Sequence, residues 1–226
     1  MENLEQFLMG TPLFSGIEQH EIHTMMQCLS PFQKKYHKGE IITEEGANLT
    51  TLGLVISGQV HVEREDYWGN RSILGIVGEG DVFGEAYAVP GSEPIPNFIV
   101  AAKDSEILFL DTQHVLTMCG NSCHYHNMLI QNLFMILAGK NRGLAGKLRH
   151  MSRRSTRDKL LSYLSEQSLR NHTKTFDIPL DRQQLADYLS VDRSAMSAEL
   201  SKLQKDGFIE YKKNHFTLIR EEEMEM

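Results

Sequence analysis

Arg182, Gln183, Arg193, Ser194, Ser197 and Lys202 bring together the side-chain types that meet phosphates and base edges. Guanidinium and ammonium groups pair with phosphate oxygens, and short hydroxyl side chains let a helix sit deep in a major groove. Such chemistry needs its side chains on one rigid face. Residues 182–207, RQQLADYLSVDRSAMSAELSKLQKDG, offer that face as two short helices joined by a tight turn. In the first, Leu185, Ala186 and Leu189 keep i, i+1, i+4 spacing; in the second, Met196, Leu200 and Leu203 keep i, i+4, i+7. Asp192 is suited to cap the second helix, because its carboxylate accepts orphan backbone N–H groups. After Gly207, FIEYKKNHFTLI alternates about a Lys-Lys-Asn turn and reads as a β-hairpin wing carrying Lys212 and Lys213. Helix-turn-helix plus wing points to double-stranded DNA; an ordinary helical hairpin is the bland alternative. Arg182, Gln183, Lys202, Lys212 and Lys213 are expected at phosphates. Arg193, Ser194 and Ser197 could reach either a phosphate or a base edge.

Charge divides the chain the same way. The 226 residues hold 23 Lys+Arg against 30 Asp+Glu, an acidic balance that does not suggest a nucleic-acid binder. Residues 1–139 are net −11, residues 140–220 net +8, and Glu221, Glu222, Glu223 and Glu225 add −4. Only the back half would be drawn to a duplex. Arg149, Arg153, Arg154 and Arg157 form a dense basic run that could touch flanking phosphates or pair with carboxylates of the front half. No apolar run approaches membrane-spanning length, and MENLEQFLMG lacks the basic start and apolar core of a signal peptide. Cys28, Cys119 and Cys123 make no even framework, so a reducing cytoplasm is expected.

The front half reads as β-rich. Leu4, Phe7 and Leu8, then Ile17, Ile22, Met25, Met26 and Leu29, suggest short amphipathic helices ahead of it. Short apolar strands follow in GEIITEEG, LGLVISGQVHVERED, RSILGIVGEGDVFGE and FIVAAKDSEILFLD, with glycines at or near their ends. Many short strands, each unable to bury a face alone, predict a closed β-roll or jelly-roll barrel. Such a barrel is an inert scaffold by default, and a hollow one can hold one small ligand. From 122 to 149, Leu129, Leu133, Ile136, Leu137, Leu144 and Leu148 follow helical spacing, with Gly139, Gly143 and Gly146 on roughly one face. A glycine costs about 1 kcal/mol against alanine in a helix, so three suggest close approach by a partner helix or a ligand. The stripe fits a parallel homodimer seam, or simple packing on the barrel.

These elements resemble the Crp/Fnr family of bacterial transcription regulators over nearly the whole chain. The barrel half is similar to a cyclic-nucleotide-binding domain through Lys38-Gly39-Glu40, Glu45-Gly46, Ile56-Ser57-Gly58, Gly80-Asp81, Gly84-Glu85 and Ala102. The back half is similar to that family's winged helix through DRSAMSAELSKLQKDGFIE. The resemblance implies an α+β chain in four parts. An N-terminal double-stranded β-helix or jelly-roll sensor domain would cover 1–121 and a long dimerisation helix 122–149. A C-terminal winged helix-turn-helix domain would cover 150–220, leaving an acidic tail at 221–226. It also implies a cytoplasmic homodimer on a palindromic operator, RNA polymerase as partner, and a small-molecule effector.

The departures from the family concern that effector. In members that bind cyclic AMP, the Gly-Glu pair, here Gly84-Glu85 followed by Ala86, contacts the ribose. An Arg and a Ser or Thr a dozen residues on hold the phosphate. Those positions fall on Pro96 and Asn97, and proline brings neither charge nor N–H. Cyclic AMP is therefore not the expected effector. Arg142, with Gly143 giving access, aligns with the region that contacts the effector across the dimer seam, and an organic acid or other small anion would suit it. The alternatives are a solvated or ion-paired Arg142, no effector, or a haem, metal or redox sensor. Cys119, Cys123, His124 and His126 cluster within eight residues, whereas a structural zinc site draws on two separate segments; a capping role is the plainer reading, and no metal is expected. Only Cys28 lies in the first hundred residues, too few ligands for an N-terminal iron–sulfur cluster. The ten histidines mark no haem ligand. In the family the recognition helix often offers a Glu-like residue, a Ser and a guanine-reading Arg. Matched here, these fall on Ser194, Ser197 and Ala198, so the operator should differ. His61-Val62-Glu63 is the sole fragment resembling a cupin metal centre, and no nucleophile motif appears; no enzyme is expected.

Overall fold

A computed structural model describes residues 2–65, 67–69, 71–117 and 124–219. The chain separates into two compact units, 1–138 and 139–226. The expected 221–226 tail lies outside the described residues.

The first unit opens with helix α1 (Glu2–Met9), a 3-10 turn (Pro12–Phe14) and α2 (Gln19–Leu29). Eight strands follow: β1 (Phe32–Tyr36), β2 (Ile41–Thr43), β3 (Thr51–Ser57), β4 (Val60–Glu65), β5 (Arg71–Val77), β6 (Val82–Phe83), β7 (Phe98–Ala101) and β8 (Ser105–Asp111). They form two antiparallel four-stranded sheets, ordered β1-β8-β3-β6 and β2-β7-β4-β5. The jelly-roll expectation is met. Side-chain alternation along β8 explains its central place. Ile107 and Phe109 enter the roll with Val55, Val60, Phe83 and Ile99, while Leu108 and Leu110 face the helical layer of Leu8, Phe14, Ile22, Leu129 and Leu133. Gly53 is required opposite Phe83, whose ring carbons would lie as close as 2.2 Å to an added Cβ.

Strand β1 carries no sequence signature. Its FQKKY residues are exposed except Tyr36, because β1 is an edge pairing only with β8, and no apolar alternation marks it. A five-residue α3 (Thr112–Leu116), capped by Asp111, leads on toward α4 (His124–Met151). Leu129 and Leu133 of α4 are buried in the first unit's core. Asn132 donates from Nδ2 to the carbonyls of Leu13 (3.0 Å) and Ser15 (2.8 Å), tying α4 to the 3-10 turn.

The second unit contains α5 (Thr156–Asn171), β9 (Thr175–Asp177), α6 (Arg182–Leu189), α7 (Arg193–Lys205), β10 (Ile209–Lys212) and β11 (His215–Leu218). Leu160, Tyr163, Leu164, Leu185, Leu189, Met196, Leu200, Leu203, Ile209 and Phe216 form its core. The last turn of α4 is fastened to α5 by Glu166, whose carboxylate accepts from Arg149 and pairs with Arg170. His150 is 1% exposed. Its Nδ1 is 2.8 Å from Ser162 Oγ, and its Nε2 is 3.0 Å from Glu166 Oε2, close enough for an ion pair but off-axis for a hydrogen bond. Gly146 is buried here too, and an added Cβ would meet Glu166 at 3.5 Å. Within this chain α5 therefore accounts for Gly146, whereas nothing lies within 4 Å of a Cβ at Gly143.

Candidate functional site

The helix pair is rigid because each end is satisfied locally. Asp181 and Gln184 form a capping box at the start of α6, both bonds 2.8 Å. Ser190 closes α6 in the left-handed region (φ +50°), and Lys159 of α5 donates Nζ to the carbonyls of Leu189 (3.2 Å) and Ser190 (3.4 Å). Asp192 caps α7, accepting from Ala195 N–H at 2.8 Å and from the Ser194 hydroxyl. Those bonds hold its carboxyl below the usual aspartate range. With Met196, Leu200 and Leu203 fully buried, Arg193, Ser194, Ser197 and Lys202 stand exposed along the opposite face. Ser197 Oγ donates back to the Arg193 carbonyl (2.9 Å) and Lys202 Nζ lies 3.4 Å from Glu199, both contacts that solvent or phosphate can replace. Gln183 is exposed at the start of α6, its amide donating to Asp187 at 2.9 Å. The wing is a β10–β11 hairpin turning at Lys213 (φ +54°), with Lys212 and Lys213 exposed at the tip.

Arg182 is half-buried, unlike the other candidate contacts. Its guanidinium donates to the Lys213 carbonyl at 2.8 Å and lies 4.8 Å from the Tyr211 ring centre and 5.2 Å from that of Phe216. Burial pulls its pKa below the ordinary value. The basic run resolves differently again. Arg149 pairs with Glu166; Arg157 reaches Glu199 (3.5 Å) and Asp206 (3.3 Å) and covers the Phe208 ring at 4.6 Å. Those carboxylates belong to the second unit, not to the barrel. Arg153 and Arg154 are exposed. Neither Arg157 nor the His150–Glu166 pair was marked in sequence as holding this unit together; the Glu166–Arg170 i, i+4 spacing was the only local signal.

The expected effector residues lie in two places. Gly84 (φ +80°), Glu85 and Ala86 follow β6, and Pro96 and Asn97 precede β7; Glu85 and Asn97 are buried, Ala86 and Pro96 exposed. Ile95 is 2% exposed in the roll core, beside the proline that stands in the phosphate-holding position. Arg142 and Gly143 are exposed on α4, in the second unit. Of the metal candidates, Cys119 and Cys123 lie outside the described residues, and His126 is buried. His61 Nδ1 is 3.5 Å from Glu63, and among the described residues no three potential ligands gather.

An antiparallel β-roll followed by a long helix and a winged helix-turn-helix defines a two-part regulator. Residues 33–122 match the cyclic nucleotide-binding domain family, and residues 158–226 match the Crp-like helix-turn-helix domain. Among similar proteins are the cyclic AMP receptor protein of Thermus thermophilus, 27% identical over 88% of each chain, and the transcriptional activator protein FnrL of Cereibacter sphaeroides. FnrL is 22% identical over 85% of this chain and 77% of its own. The solved structure of OCPA-complexed CprK shares the fold, with a TM-score of 0.66 at 14% identity over 88% of this chain and 91% of that one. The chain belongs to the Crp/Fnr family. It is a DNA-binding transcription regulator with an effector-binding domain, and its relatives are regulators rather than enzymes. Among the described residues no helix is long and apolar enough to cross a membrane.

Proposed function

We propose that the chain works in the cytoplasm as a homodimer on a palindromic operator, through Arg193, Ser194 and Ser197 at the groove and Gln183, Lys202, Lys212 and Lys213 at the phosphates. The observation that carries this is the exposed polar face of α7 beside the lysine-tipped wing, in one compact unit. Pairing through α4 is supported by Phe134, Leu137, Leu144 and Leu148, which are 68%, 36%, 67% and 67% exposed at helical spacing, while Leu129 and Leu133 are buried in their own core. Two-fold pairing would set two α7 helices about one DNA turn apart. A ligand would then act by its differential affinity for two arrangements of the dimer, changing how RNA polymerase is met at the promoter.

The effector is a small molecule other than cyclic AMP, although one relative is named for that ligand. The support is chemical: Pro96 offers no donor for a cyclic phosphate, and the adjacent Ile95 is part of the apolar roll interior. An organic acid or another small anion is the favoured class, with Arg142 as its counter-charge, since no described residue of Arg142's own unit pairs with it. Three measurements test the reading. Fragments selected from a random duplex pool should contain an inverted repeat, and sedimentation should give a dimer. Calorimetric titration with cyclic AMP should give no saturable heat. Unselective recovery, a monomer bound to DNA, or micromolar cyclic AMP binding would each overturn the corresponding part.

A further inference from the structure

The Arg182 side chain leaves the first residue of α6 and crosses to the wing. Its Nη2 donates to the carbonyl of Lys213 at 2.8 Å, at the residue whose φ of +54° makes the turn. Its guanidinium carbon lies 4.8 Å from the Tyr211 ring centre and 5.2 Å from the Phe216 ring centre. Those two rings are cross-strand partners, stacked with centroids 5.8 Å apart and planes at 24°. Phe216 is fully buried, so one of the platform's rings is anchored in the domain core. A non-glycine residue at positive φ is held in an unfavourable conformation, and a fixed hydrogen bond to its carbonyl stabilises it there.

We infer that Arg182 is a positioning residue for DNA binding: it clamps the wing turn to α6, so that the exposed Lys212 and Lys213 are presented together to the backbone. The planar fork matters as much as the charge. A guanidinium can donate to a carbonyl while its face rests on an aromatic ring, whereas an ammonium on a flexible stem does not reproduce both contacts. A phosphate contact would make the opposite demand, since a lysine serves a phosphate well as a point charge.

The test measures binding of the full chain to a mixed-sequence duplex by anisotropy across a salt series. The proteins are wild type, R182K, R182A, the K212A/K213A double variant, and the double variant with R182A added. Two lost phosphate contacts lower the salt slope by about 1.8, at about 0.9 each. If Arg182 positions the wing, R182K and R182A weaken binding alike, both move the slope toward that of the lysine double variant, and R182A adds little on top of it. The inference is overturned if R182K binds like wild type, or if R182A is additive with the lysine substitutions, which is the signature of a phosphate contact of its own. It is overturned equally if the melting temperature falls while affinity and slope do not move. Should R182A fail to fold, Tyr211→Leu removes a ring beneath the guanidinium and leaves every charge in place; it must shift the slope in the same direction, and an unchanged slope sinks the idea. Loss of all DNA binding across the variants, lysine and arginine alike, would instead count against the interface on which this reading rests.

Discussion

Glu166→Gln provides a sharp test of how the end of α4 is held to the winged helix. The wild-type carboxylate serves three groups: Arg149, Arg170 and the buried His150. The two arginine side chains are 59% and 60% exposed, so each can regain water, and such pairs contribute only about 0.2–1 kcal/mol. His150 has no such escape at 1% exposure. The tautomer that suits both neighbours accepts from Ser162 Oγ at Nδ1 and carries its proton on Nε2, facing Glu166. That Nε2 is off-axis for a hydrogen bond and a Gln oxygen still faces it, so the loss rests mainly on the two arginine pairs, about 0.4–2 kcal/mol together. For a domain of roughly 60–100 residues, each kcal/mol lowers Tm by about 4–8 °C. Calorimetric melting of the full chain at neutral pH should therefore show one transition dropping by about 2–16 °C, with the other unmoved. An unchanged Tm would refute the claim that this carboxylate stabilises the junction.

The same site fixes a pH response. Burial first, and Arg149 and Arg170 after it, hold the His150 pKa below its ordinary 6.5, although Glu166 pulls the other way. The unfolded chain then takes up the proton first on acidification, so this contribution is complete above about 6.5 and declines as pH falls below it. Glu166 adds a later loss. Burial alone would raise its pKa, but the Arg149 hydrogen bond and the charges of Arg170 and His150 bring it below 4.5, so its stabilisation disappears as pH falls through and below that value. His150→Gln should flatten the first part of the acid limb relative to wild type and leave the second; parallel curves would exclude His150 as the titrating group.

Other expectations are simpler to state. Asp192→Ala removes the cap of α7 and should cost about 1 kcal/mol in urea unfolding, with weaker binding to every duplex. Lys212→Ala should lower the salt slope by about 0.9 on all sequences equally, whereas Ser197→Ala should weaken the selected operator far more than random DNA. Phe134→Glu places a charge in the exposed apolar row of α4 and should convert a sedimenting dimer to monomer; a dimer that survives it would show that the row is not the seam.

The winged helix was legible because its information is local. Leu185, Ala186, Leu189, Met196, Leu200 and Leu203 repeat within two helices, and Asp192 sits beside the N–H groups it caps. The roll was legible as a class, from glycine punctuation and short apolar runs. Strand β1 was not, since an edge strand with exposed Lys34 and Lys35 has no pattern to show. The placement of Arg182 was not legible for a different reason. Its partners Tyr211, Lys213 and Phe216 lie about thirty residues away, and only the folded hairpin brings them over α6. His150 gave no signal either, because nothing in its spacing distinguishes a buried histidine from a solvated one.

Strand β8 imposes an order of events on the newborn chain. Phe32 pairs with Phe109 and Tyr36 with Ser105, so β1 has no partner until most of the first unit has been made. At about 5–20 residues per second, that wait is about 4–15 s. Strand β3 gains β6 sooner, but its other edge, with Leu52 and Leu54 opposite Leu110 and Leu108, waits for β8 as well. Such distant pairing is slow to form even once the chain is free. In this interval the lysines of β1 keep a lone edge from joining another nascent chain. The second unit has a shorter delay: β9 waits about forty residues for β11, while α6, α7 and the wing follow one another directly. Its helices close locally, whereas the first unit cannot complete the sheet of β1, β8, β3 and β6 until β8 arrives.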